Sequence, residues 1–319
     1  MSNKILVTGA AGFIGFHLIK SLLDDGFNVI GLDNLNDYYS VDLKNARLKE
    51  IDKYKNFTFK EIDISNREKL KECFSSFKIN KVVNLAAQPG VRYSIENPYA
   101  YMDSNLIGFL NIIECCRHNN IEGFIYASSS SVYGGNTKIP FSETDKTDNP
   151  VSFYAATKNA NELIAKTYSH LYNLNTTGLR FFTVYGPWGR PDMAYYSFTD
   201  KIVKNKPISV FNHGKMKRDF TYIDDIIFGL KSAINMNYKC EIFNLGNNKS
   251  ENLMDFIYLL EHHLNIKAKI RFKEMELGDI KETYADISKS IDMLKYSPKS
   301  NINDGIESFI SWYKNYHSI

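Results

Sequence analysis

The sequence predicts an α/β protein: a doubly wound parallel sheet joined to a smaller, interleaved α/β domain. Three observations carry this. Short apolar runs alternate with amphipathic helical stretches through the first half of the chain, the signature of βαβ units. Runs such as Ile5-Leu-Val7 and Lys81-Val-Val-Asn-Leu-Ala86 do not alternate with polar residues, as expected of strands buried on both faces. The first run also leads straight into a glycine cluster, Thr8-Gly9-Ala-Ala-Gly12-Phe-Ile-Gly15, where a helical pattern begins.

Taken in order, residues 4–8, 28–32, 57–61, 81–86, 124–128 and 176–181 read as strands, with helical periodicity near 13–25, 66–76, 99–119 and 152–174. After Phe181 the texture changes. Pro187, Gly189 and Pro191 punctuate a loop, and short elements follow near 208–210, 223–235, 242–245, 253–263 and 268–272. The expected division is a first domain of residues 1–181 plus segments near 217–246, and a second of 182–216 and 247–319, with a ligand cleft between them.

With 319 residues, 44% hydrophobic and 24% charged, the chain has the composition of an ordinary globular protein. A net charge of +3, from 39 basic and 36 acidic residues, predicts neither a nucleic-acid nor a membrane partner. Four cysteines lack CxxC spacing and read as reduced thiols. The chain enters a strand directly after Met1-Ser-Asn-Lys4, and no apolar run approaches the ~20 residues of a membrane span. A cytoplasmic protein is expected. Seven histidines without HExxH or paired-ligand spacing predict no metal, and the absence of GxSxG argues against a hydrolase elbow.

In the glycine cluster, Gly9 suits a tight turn, Gly12 the approach of a pyrophosphate, and Gly15 the close packing of helix on strand. The helix N-terminus then offers free N–H groups to phosphates. Asp33, ending Asn28-Val-Ile-Gly-Leu-Asp33, is the acidic residue expected about 20 positions on; it would accept the ribose hydroxyls and repel a 2′-phosphate, predicting NAD as cofactor. Asp33 could equally cap the next turn, with Asn34 sharing the work. Asp63-Ile64, at a strand end, is placed to meet the adenine, although Asp is also an ordinary turn residue.

Reaction chemistry is concentrated in Tyr154-Ala-Ala-Thr-Lys158, preceded by Ser128-Ser129-Ser130-Ser131. At this spacing Tyr154 and Lys158 share one helix face, and an ammonium favours a nearby phenolate. Alone, the pattern is equally a surface Tyr and Lys one turn apart.

The motifs together resemble the extended short-chain dehydrogenase/reductase family and, within it, the NAD-dependent nucleotide-sugar epimerases, with UDP-glucuronate 4-epimerases the nearest in pattern. TGAAGFIG, Asn84-Leu-Ala-Ala87, Asn105, the serine run with Val132-Tyr133-Gly134, YxxxK and Leu179-Arg-Phe-Phe-Thr-Val-Tyr-Gly-Pro187 appear in order across nearly the whole chain. Asp33-Asn-Leu-Asn-Asp-Tyr-Tyr39, Arg47-Leu48, Gln88-Pro-Gly-Val-Arg92-Tyr-Ser and Gly186-Pro-Trp-Gly-Arg190-Pro-Asp-Met carry the narrower match. The resemblance implies a Rossmann-type fold, tightly bound NAD, a UDP-sugar substrate and a homodimer, with helical stretches 99–119 and 152–174 pairing across the two-fold axis.

It also implies roles. Tyr154 is the base at the sugar 4-hydroxyl, Lys158 lowers its pKa and holds the nicotinamide ribose, and Ser129 helps to hold the hydroxyl. Ala11, Phe13, Ile14, Leu85, Ala86, Ala87, Gln88, Asn105, Ser128 and Phe181 fall beside the cofactor; Arg92, Thr183, Arg190, Arg218 and Asp279 beside the substrate. Related dehydratases and decarboxylases carry an acid immediately before Val-Tyr-Gly. Here Ser130 and Ser131 stand there instead, which favours epimerisation through a transient 4-keto sugar and NADH; strand-end packing is their alternative reading. Arg190 offers a planar fork for a carboxylate, its alternative being a solvated loop arginine. Glu276 departs from the pattern, standing where the epimerases commonly carry Arg or Gln. The alternatives are a 4-epimerase of neutral UDP-hexoses or UDP-N-acetylhexosamines, a dehydratase or decarboxylase, and a non-catalytic NAD sensor.

Overall fold

The computed structural model describes residues 4–275 and 281–319. Buried, largely apolar runs form the strands β1 (Lys4–Thr8), β2 (Asn28–Asp33), β4 (Lys81–Asn84), β5 (Gly123–Ser129) and β6 (Thr176–Phe181), with β3 (Phe57–Glu61) a more exposed edge strand. Between them run helices α1 (Phe13–Asp24), α2 (Val41–Ile51), α3 (Arg67–Ser76), α4 (Tyr93–Glu96), α5 (Pro98–Tyr101), α6 (Phe109–His118) and α7 (Phe153–Tyr172). The remainder of the chain comprises β7 (Thr183–Tyr185), α8 (Ala194–Val203), β8 (Ile208–Val210), β9 (Lys217–Arg218), β10 (Phe220–Tyr222), α9 (Ile223–Met236) and β11 (Cys240–Leu245). It ends with β12 (Glu251–Asn252), α10 (Leu253–Leu264), β13 (Ile270–Phe272), β14 (Glu282–Thr283), α11 (Ser288–Leu294) and α12 (Ile302–His317).

Seven strands form one parallel sheet in the order β11-β6-β5-β4-β1-β2-β3. The winding reverses between β1 and β4, so the loops leaving these strands diverge and open a crevice at their carboxyl ends. One face of the sheet buries Ile5, Val7, Phe16, Ile125, Leu179 and Ile226; the other buries Leu6, Ile30, Val82, Ile112, Phe124 and Tyr126. A second core, including Tyr195, Phe198, Phe256 and Phe309, joins α8, α10 and α12 to the short pairs β7/β10 and β8/β13.

Three local expectations are corrected. β4 ends at Asn84, leaving Leu85–Gly90 as loop, because Asn84 turns its side chain to accept from Thr8 Oγ1 at 2.6 Å. The continuous helix expected over 99–119 is broken into α5, a π-helical segment Met102–Gly108 and α6. In that wider register Asn105 accepts from Gln88 N at 2.8 Å and donates to Gln88 O and Thr157, both at 3.1 Å. Finally, α2 lay outside the expected helices: its buried positions Leu43, Lys44, Arg47 and Ile51 include two cations, which hides the apolar period.

Candidate active site

A cleft opens at the switch between β1 and β4. One end of it is built by the glycine loop. Gly9 has φ +71, and a Cβ there would lie 2.9 Å from Ala86 N; one on Gly12 would lie 2.9 Å from Gly9 O. These contacts need glycine, and they bring bare backbone to the cleft wall. Gly12 ends the loop as N-cap of α1 without any side-chain cap, leaving the first amides of the helix directed to the cleft with Gly12, Phe13, Ile14 and Gly15. That arrangement fits a dinucleotide pyrophosphate.

Asp33 receives Ala11 N at 3.0 Å and Leu35 N at 2.9 Å on different oxygens, so each oxygen keeps acceptor capacity for a ribose hydroxyl. Burial raises its pKa, against the pull of those amides and of Lys44. Ala11 itself is buried behind the wall, its amide taken by Asp33. Asn34 donates to Asp63 at 2.7 Å, so these two residues brace one another beside Ile64. Leu85, Ala86, Ala87, Ser128 and Phe181 line the same cleft; Gln88 and Asn105 are buried behind it in their mutual hydrogen bonds.

The other end of the cleft is set by α7, which follows the N-cap Ser152, whose side chain accepts from Ala155 N. Tyr154 and Lys158 project from it into the cleft beside Ser129, Ser130 and Ser131 at the end of β5. Ser129 Oγ accepts from Ser131 N and donates to Ser131 Oγ, both at 3.1 Å, and lines the cleft together with Tyr154. Lys158 Nζ donates to Ala127 O at 2.9 Å and sits 5.9 Å from the centre of the Tyr154 ring. The protein's side chains do not lower the phenol pKa as expected: burial raises it, and Ser129 and Arg190 pull only partly back. Burial also lowers Lys158 to about 8, opposed by the charge of Glu162.

Glu162, one turn beyond Lys158, went unnoticed in the sequence although its i+4 spacing was readable. It holds Arg180 in a buried bidentate pair, at 2.9 and 2.7 Å, and accepts a short hydrogen bond from Ser128. The strand end bearing the serines is thereby fastened to the helix bearing Tyr154.

Thr183, on β7, and Arg190 complete the far wall. Arg190 is already paired with Asp192, which also receives Tyr38 Oη at 3.5 Å. Of the other predicted substrate contacts, Arg92 is exposed and stacks its guanidinium 4.3 Å from the centre of Phe211. Arg218 lies on β9 and donates to Lys217 O at 2.8 Å. Neither lines the cleft. Asp279 and Glu276 lie outside the described residues.

Residues 5–246 match the model of the NAD dependent epimerase/dehydratase family. The chain belongs to that family. As a member of the epimerase/dehydratase family, it is 48% identical to UDP-glucuronate 4-epimerase 4 of Arabidopsis thaliana, over 98% of this chain and 76% of the plant protein. Its fold superposes on that of UDP-glucuronic acid 4-epimerase from Bacillus cereus, solved with UDP-glucuronic acid and NAD, with a TM-score of 0.93 at 35% identity, covering 98% and 99% of the two chains. It also matches the UDP-glucose 4-epimerase of Thermotoga maritima, with a TM-score of 0.88 at 28% identity over 98% and 99%.

Among the described residues, no group of three or more His, Cys, Asp or Glu could hold a metal ion, and no helix is long and apolar enough to cross a membrane.

Proposed function

We propose that the protein interconverts UDP-glucuronate and UDP-galacturonate by epimerisation at carbon 4, with NAD bound at the glycine loop. One observation carries this reading: Tyr154, Ser129–Ser131, Thr183 and Arg190 share a cleft with the cofactor loop, and its only acidic lining residues among those described, Asp33 and Asp63, lie at the opposite, adenosine end. The substrate end therefore has hydroxyls and a guanidinium for a sugar acid, and the nearby Asp192 carboxylate is paired with Arg190 and does not itself line the cleft.

When bound, NAD supplies the acceptor and later the donor of the hydride at carbon 4. As the phenolate, favoured by the positive charges of Lys158 and of bound oxidised NAD, Tyr154 takes the 4-hydroxyl proton as the ketone forms and returns it after the keto sugar has presented its other face. Ser129, which lines the cleft with Tyr154 and favours its phenolate, helps to hold the reacting hydroxyl beside the base. Lys158 supplies positive charge on the same helix face, held by the Ala127 carbonyl. Arg190 and Thr183 grip the uronate carboxylate. Of the relatives' activities, UDP-glucuronate 4-epimerisation matches this set of groups best.

A second reading, a 4-epimerase of neutral UDP-hexoses, draws support from the Arg190–Asp192 pair, which leaves that wall formally neutral. Incubation with UDP-glucuronate and with UDP-glucose, followed by NMR, tests both. Formation of UDP-galacturonate supports the first reading. Turnover of UDP-glucose alone refutes it, and release of carbon dioxide or water would identify a lyase.

We place the protein in the cytoplasm as a homodimer. Cys73, Cys115, Cys116 and Cys240 are all unpaired, which suits a reducing compartment. The exposed apolar side chains Ile95, Tyr99, Ile107, Leu110, Leu163 and Leu171 lie along α4 to α7, where a second copy would cover them.

A further inference from the structure

Arg47, part of a motif whose role the sequence left open, is fully buried on α2. All five of its N–H donors are engaged, each by a neutral oxygen. Nη1 donates to Ala11 O at 2.7 Å and to Tyr39 Oη at 2.8 Å. Nη2 donates to Trp188 O at 2.7 Å and Gly189 O at 3.0 Å, and Nε to Trp188 O at 3.1 Å. One guanidinium thus joins the glycine loop after β1 to the turn immediately before Arg190.

That turn needs a clamp. Trp188 has φ +61, in the left-handed region that a bulky residue avoids. Its neighbour Gly189 has no slack, since a Cβ there would lie 1.7 Å from Tyr195 Oη. The helix that follows the glycine loop reinforces the joint: His17 Nε2 is 2.9 Å from Pro187 O, and the rings of Phe16 and Trp188 are 5.4 Å apart. Lysine could not replace Arg47, because a single ammonium cannot span carbonyls on two loops in a planar fork.

We infer that Arg47 is a positioning residue that couples the two ends of the cleft, fixing the Trp188–Gly189 turn, and with it Arg190, to the glycine loop. By linkage such coupling is reciprocal in binding free energy: a uronate held by Arg190 tightens NAD, and NAD tightens the uronate to the same degree. This deepens the proposed substrate reading and rests on it only for the identity of the sugar.

The test is NAD release from the NAD-loaded protein after dilution, measured in the filtrate with no addition, with UDP, or with UDP-glucuronate. In the wild-type protein UDP-glucuronate is expected to slow release more than UDP does. In R47K, unaided release should quicken and that extra protection should fall by about fivefold or more, with KM for UDP-glucuronate rising more than kcat falls. Wild-type-like protection in R47K, or no extra protection in the wild type, overturns the inference. Should R47K fail to fold, hydrogen exchange on the wild type decides: NAD alone should protect residues 187–193, and unchanged exchange there overturns the coupling. Coupling observed with bound UDP-glucuronate but no 4-epimer formed would overturn the substrate reading and leave the role of Arg47 standing.

Discussion

Asp192 holds Arg190 in a two-point pair, Nε to Oδ1 at 3.0 Å and Nη2 to Oδ2 at 2.7 Å. The group best suited to a sugar carboxylate is therefore already engaged by a carboxylate of its own loop. A uronate entering the cleft meets a competitor, whereas a neutral sugar does not. Removing that competition in D192N is expected to lower KM for UDP-glucuronate while leaving UDP-glucose unchanged. Steady-state kinetics with both substrates checks this, and a higher KM for the acid would mean that Asp192 aims Arg190 instead.

Deleting the guanidinium should act in the opposite sense. Hydrogen bonds to charged groups contribute about 1.5–3 kcal/mol, so R190A should raise KM for UDP-glucuronate by roughly tenfold to a hundredfold. KM for UDP-glucose should change little. Equal losses for both sugars would refute recognition of the carboxylate by Arg190.

Tyr154 is the proton carrier in the proposed reaction. Y154F keeps the ring's edge-on packing against Tyr101, at 6.0 Å, but loses the acidic proton site. kcat should fall by about two to four orders of magnitude, with NAD retained on gel filtration. Undiminished turnover by NMR would reassign the base.

Lys158 gives a pH dependence with a definite sign. Its folded-state pKa of about 8 lies below the ordinary lysine value of 10.5, so between these values the unfolded chain binds more protons. Stability from this group should rise as pH increases from about 8 to 10.5, while the charge beside Tyr154 disappears over the lower part of that window. Glu162 is the charge that raises Lys158, so E162Q should move this limb of the kcat profile to lower pH. The same change strands the buried Arg180 guanidinium, costing about 3–5 kcal/mol in urea unfolding.

The apolar face of α4 to α7 predicts an assembly. Leu163 is 61% exposed on α7, so L163R leaves the monomer core intact and should yield a monomer by sedimentation if a second copy covers that face. An unchanged molecular weight would place any interface elsewhere.

The strand pattern, the glycine loop, Asp33 and the Tyr154/Lys158 helix were legible because each depends on local spacing: alternating βαβ texture, small residues at a turn, and side chains one helical turn apart. Helix α2 was illegible for an equally local reason, since Lys44 and Arg47 occupy its buried face and break the apolar period. The π-helical shift at Asn105 was hidden because it satisfies backbone groups of a distant loop.

By itself the sequence determined the fold class and the place of the glycine loop, and it named the residues proposed to carry the reaction. Only the tertiary structure decided how those residues are charged and held. Burial is a property of the whole packed chain, so the raised Tyr154 phenol and the lowered Lys158 could not follow from their spacing alone. The pairing of Arg190 with Asp192 is local in sequence, but the clamp of Arg47 on Trp188 joins residues 141 positions apart, which only the closed fold brings together.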